Sequence, residues 1–117
     1  VQGVASSNPA TPTKVDLSSS LQDADSTVQS ALQYISDAQR AQKAAIDKAD
    51  KIMAPASLAS SEASSAHAIF AHVDEQQDDL VAAGLDPVKV FGKLLNYAGT
   101  LSQSAKSRLV TAQQAAG

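Results

Sequence analysis

One pattern constrains this chain more than any other. Stepping by four and three from Leu17 lands on Leu21, Ala24, Val28, Ala31, Ile35, Ala38, Gln42, Ala45, Ala49 and Ile52. Apolar residues at that spacing share one face of an α-helix. Gln42 is the one polar step, and no Gly or Pro lies between Lys14 and Pro55. Leu32, Ile46 and Met53 widen the stripe, while Asp23, Gln33, Asp37, Arg40, Asp47 and Asp50 occupy the opposite face. The pattern predicts one long first helix, started by Asp16 as N-cap and ended by Pro55.

A second helix is expected from about Ser57 to Ala83. Its stripe runs through Leu58, Ala59, Ala63, Ala66, Ile69, Phe70, Val73, Leu80 and Val81, interrupted by Gln76 and Gln77. Gly84 follows at the position where left-handed backbone angles close a helix without strain. The third helix has the clearest start. Asp86 supplies the N-cap and Pro87 the first turn, where a missing N–H is no loss. Leu85 and Val90 have the spacing of a hydrophobic staple. The third stripe then reads Phe91, Leu94, Leu95, Ala98, Leu101, Ala105, Leu109 and Ala112.

Long helices with very short connections must pack antiparallel. The fold class expected is all-α: an elongated up-down-up three-helix bundle over residues 16–117. A four-helix bundle is the alternative, should the first helix break near residues 39–42, where Gln39 and Gln42 weaken the seam. Residues 1–15, holding Ser6, Ser7, Pro9, Thr11, Pro12 and Thr13, are expected to form a disordered arm outside the core.

Turns at Pro55 and Leu85 set the levels along such a bundle. They bring Ile35 beside Glu75 and Gln76, Val73 beside Tyr97, Phe70 beside Thr100 and Leu101, and Glu62 beside Arg108. The mid-bundle core is then expected from Leu32, Ile35, Phe70, Val73, Leu94, Ala98 and Leu101. Together with Tyr97 as a polar handle, these are the candidate lining of an apolar-ligand site. Glu62 and Arg108 border the stripes of their helices and are expected to form an interhelical ion pair that fixes register.

Composition narrows the function classes. Ala and Ser make up a third of the chain, aromatics 3%, charged residues 18%, and the net charge is −3. Ala is the strongest helix former, and β-branched and aromatic residues are too few for a sheet. With no Cys, disulfide staples, Cys-ligated metals and thiol catalysis are excluded. Nine Lys and Arg against twelve Asp and Glu argue against a nucleic-acid partner. No apolar run approaches the roughly 18–20 residues of a transmembrane segment.

No motif carries recognisable catalysis or cofactor binding. There is no Gly-rich phosphate loop, no His-Glu-x-x-His and no Gly-x-Ser-x-Gly. His67 and His72 are five residues apart, about 140° around a helix, so they cannot share one metal from one face. Asp74, Glu75, Asp78 and Asp79 lack calcium-loop spacing and read as a solvated face. The serines at 60, 61, 64 and 65 read as an outer helix face. Gly92 and Gly99, one heptad apart, read as close packing against a neighbouring helix, with ligand approach to the backbone as the rival reading.

An Ala-rich seam buries little area per residue, at roughly 25 cal/mol per Å². That deficit points to a ligand that completes the core or to self-association. The expectation is therefore a non-enzymatic binding protein without cofactor or metal. It would carry an apolar small molecule such as a fatty acid or lipid, or bind a hydrophobic surface. The alternative is a structural or interaction protein with a protein partner: a cell-wall component, adhesin, effector or self-assembling coiled-coil unit. Val1-Gln2-Gly3 and the Ser/Thr/Pro-rich opening suit a processed secreted or cell-surface protein; a chain boundary without processing, in a cytoplasmic protein, is the other reading.

Overall fold

The helices form where the seams lie, but the chain turns at a different place. A computed structural model describes residues 12–117. It contains α1 (Ser18–Ala41), α2 (Ile46–Ala82) and α3 (Pro87–Ala116), with no strand among the described residues. All three helix pairs touch, and α2 is the central element, with α1 meeting α3 along a narrower line. The bundle is long and flat, 71 × 25 × 18 Å.

The first helix does not run to Pro55. It ends at Ala41, and the chain turns over 42–45. That is beside the weak point at Gln39 and Gln42, yet the helix count stays at three because α2 continues unbroken through Pro55. An interior Pro costs about 3 kcal/mol through a lost hydrogen bond and a ring clash. The offset is partnership. A turn at 42–45 gives every seam residue of α1 and α3 a place on a central helix of 37 residues. A turn at Pro55 would leave about a dozen residues of a longer first helix overhanging a shorter second one. Ala49, Ile52 and Ala56 are fully packed in the observed arrangement.

Moving the turn also moves the register. Ile35 packs with Ala38, Ala49 and Ile52, not beside Glu75 and Gln76 as expected. The α2–α3 hairpin keeps the expected levels, because its local signals are strong. Gly84 takes φ +82°. Leu85 N donates to Leu80 O at 2.8 Å and Gly84 N to Val81 O at 3.0 Å, the paired bonds of a Schellman motif. Asp86 caps α3 by accepting from Val88 N at 3.0 Å, with Pro87 in the first turn. Leu85 and Val90, the expected staple pair, each stay about half exposed.

Among the described residues, eleven of the fifteen buried apolar residues are Ala. They recur every seven residues: Ala24, Ala31 and Ala38 on α1; Ala49, Ala56 and Ala63, and Ala59 and Ala66, on α2; Ala98, Ala105 and Ala112 on α3. A strict seven-residue repeat winds helices into a left-handed supercoil. Methyl side chains at the contacts draw the axes toward the near end of the roughly 8–10 Å range.

Candidate functional site

Large apolar side chains gather at both ends of this alanine frame, most of them at the α2–α3 hairpin end. Phe70, Val73, Ala98, Leu17, Ala24 and Ala66 form its buried centre. Val15, Leu21, Ile69, Phe91, Leu94, Leu95 and Leu101 pack around that centre but remain partly exposed. Leu85, Val88, Val90 and Tyr97 stand about half exposed on the α2–α3 hairpin. His72, exposed on α2, meets the Phe91 ring edge-on at 6.0 Å.

Of the candidate lining residues, Phe70, Val73, Leu94, Ala98 and Leu101 come together in this cluster. Three do not. Ile35 belongs to the cluster at the opposite end, with Ala49 and Ile52. Leu32 is 47% exposed and Tyr97 57% exposed, so neither lies in the core. Leu32 sits at the edge of a stripe wider than the face its neighbours cover, whereas Tyr97, expected as a polar handle, is off the α3 stripe.

A buried amide closes the cluster. Gln77 is fully buried. Its Nε2 donates to Val15 O at 2.9 Å, and Val15 N donates to its Oε1 at 2.5 Å. One side chain thus satisfies both backbone groups of one residue, as a neighbouring strand would. Lys14 Nζ reaches Asp78 Oδ1 at 2.6 Å across the exposed surface beside it, and hydrogen bonding to that carboxylate raises Lys14 above its ordinary value. Asp16 accepts from Ser18 N at 3.0 Å and from the Ser18 hydroxyl, and these bonds hold its carboxyl below the usual range. Val15 and Leu17 therefore belong to the fold, although the first was expected in a free arm. The rest of that arm, through residue 11, lies outside the described residues.

In the α2 stripe, Gln77 is an interruption. The signal was available in its phase: Gln77 continues the series Ala49, Ala56, Ala63 and Phe70 at seven-residue steps. A polar residue in a core phase needs a partner, and here the partner is backbone 62 residues away.

Two polar clamps join the helices elsewhere. Arg108 Nε donates to Glu62 Oε1 at 2.5 Å, and Ser104 Oγ donates to the same carboxylate at 2.9 Å. Burial pushes the Glu62 carboxyl up, but the hydrogen bonds from Arg108 and Ser104 and the guanidinium charge outweigh it, leaving it below its ordinary 4.5. Across α1 and α3, Lys106 Nζ meets Asp23 Oδ2 at 2.7 Å, and Ser102 Oγ donates to that oxygen at 3.3 Å. An alanine seam repeating every seven residues is nearly degenerate to a seven-residue slide. Polar pairs at single positions remove that degeneracy.

Gly92 and Gly99 do not serve close packing. A Cβ at either would meet nothing within 4 Å. Among the described residues, no three His, Asp or Glu side chains converge to hold a metal ion, and no helix is long and apolar enough to cross a membrane.

No family model, curated protein or solved structure matches the chain.

Proposed function

We propose that this chain is a non-enzymatic binding protein that takes an apolar ligand, a fatty acid or similar lipid chain, at its α2–α3 hairpin end. One observation carries this reading: most of the large apolar side chains lie at that end, and many of them are incompletely covered. Ile69, Phe91, Leu94 and Leu101 remain partly exposed, and Val88, Val90 and Tyr97 about half exposed. Exposed apolar residues scattered singly need no explanation, but a concentration around one cluster marks a binding surface. Gln77 and Val15 close the cluster by hydrogen bonds, and the cluster is separate from the alanine seam of Ala31, Ala59, Ala63 and Ala105, so an acyl chain seated there leaves that seam in place. The Ser/Thr/Pro-rich opening stretch supports an extracellular or cell-surface setting.

Native mass spectrometry of the protein from its natural source tests the reading. The expected result is a chain carrying a discrete extra mass that is lost on denaturation. Calorimetric titration with a long-chain fatty acid should then show saturable binding, weakened at least tenfold by Val90→Asp with Tyr97→Asp, both exposed in the folded chain. A bare chain that also fails to titrate overturns it.

A further inference from the structure

The turn between α1 and α2 contains no residue that requires a turn. Gln42, Lys43, Ala44 and Ala45 include neither Gly nor Pro, and all are compatible with a helix interior. Gln42 already has helical angles, with its N–H on Ala38 O. Ala45 N donates to Ala41 O at 2.7 Å, the i to i−4 bond of an α-helix. The chain leaves helical geometry at Ala45, at φ −152° and ψ 82°, where no side chain caps α2. Ala38, Gln42, Ala45 and Ala49 stay in phase across the turn. Local chemistry therefore supports one uninterrupted helix, and only the packing of α1 back onto its own α2 and α3 bends it.

We propose that two copies of this chain exchange α1, the turn straightening so that residues 18–82 form one continuous helix. In that dimer α1 of each copy lies on α2 and α3 of the other, and every α1 contact described above is remade between chains. Exchange of an identical element changes only the hinge. A continuous helix of roughly 65 residues would be about 100 Å long, antiparallel to its twin about a two-fold axis at the hinge. The register permits this, because Ala24 shares a cluster with Ala66 and Ala38 with Ala49 and Ile52, pairs symmetric about the turn. α3 leaves room, since it ends at Ala116 against the Ala49–Ile52 cluster and does not reach past the hinge.

The clamp between Asp23 and Lys106 gives the test. Asp23→Lys and Lys106→Asp each set like charges against each other within one closed chain. The clamp is 43% exposed on both sides, so each variant still folds. When the two variants are unfolded, mixed and refolded at high concentration, an exchanged heterodimer restores opposite charges at one junction and the native pair at the other. Light scattering coupled to size exclusion, with native mass spectrometry, should find heterodimer in several-fold excess over both homodimers. Monomers alone, or dimers in statistical proportion, overturn the proposal. Ile46→Pro supplies the second arm. Ile46 is the first residue of α2 and 63% exposed, so Pro suits the closed turn but interrupts a continuous helix. Placed in both chains, it should abolish the dimer while circular dichroism retains the helical signal. A dimer that persists with Ile46→Pro overturns the proposal as well.

Discussion

The hairpin end and the middle of this bundle solve the packing problem with different material. At the α2–α3 hairpin end, Phe70, Val73 and Leu17 are buried among half-covered Leu, Ile and Phe side chains. Through the middle, Ala31, Ala59, Ala63 and Ala105 meet with only Val28 and Leu109 beside them. Large side chains bury more area but leave edges uncovered. Alanines bury little, yet bring backbones close and exclude solvent completely, and all four of these are 0% exposed. A core of one repeated shape specifies register weakly, and the polar clamps supply what shape does not.

The sharpest test reverses the material in each region. Phe70→Ala should cost about 3–4 kcal/mol by deleting an aromatic core residue. Ala63→Leu should cost about 2–3 kcal/mol by overpacking, although it adds apolar area. Urea denaturation of both variants measures the pair. If Ala63→Leu is neutral, the seam is looser than its burial implies. Pro55→Ala should act oppositely and stabilise by about 2 kcal/mol, because it restores an interior hydrogen bond at a site that is already helical; thermal unfolding reads this as a raised Tm.

Gln77→Leu tests whether the hairpin end depends on its polar closure. It should destabilise by about 1–2 kcal/mol by leaving the Val15 N–H and C=O without partners. Amide exchange should accelerate at residues 15–21 and stay unchanged at Ala59 and Ala63. Gly99→Ala should stabilise by about 0.5–1 kcal/mol, since its Cβ meets open space. A loss there would restore the close-packing reading.

The smallest effect is electrostatic. The folded Glu62 carboxyl titrates below its ordinary 4.5, so its contribution is fully present above that value and lost as pH falls through the folded pKa. The stability gap between the unaltered chain and Glu62→Gln should be constant near neutrality and close below pH 4.5. With Glu62 and Arg108 20% and 39% exposed, solvent screening holds the gap to about 1 kcal/mol or less. Chemical denaturation at stepped pH checks it.

Helix content and the α2–α3 turn were legible from residues alone because their causes are local. Seams at 3.6-residue spacing, Gly84 past a helix end, and Asp86-Pro87 at a helix start act within a few residues of themselves. The level of Glu62 and Arg108 followed from that one well-marked turn. The candidate ligand lining was legible only in part. Stripe membership says that a residue faces inward on average, and does not say how much of the stripe a neighbour covers, which is why Leu32 lies outside.

Sequence by itself determined that this chain would be three helices and that their contacts would be built from alanine, since propensity and period act on each segment separately. Tertiary structure alone decided where the first helix ends. Gln42 to Ala45 carry no turn chemistry and Pro55 carries a strong breaker, yet the chain turns at the former and stays helical through the latter. The reason is that a turn costs a few residues' local preference, whereas a mismatched helix length leaves whole heptads of seam facing water.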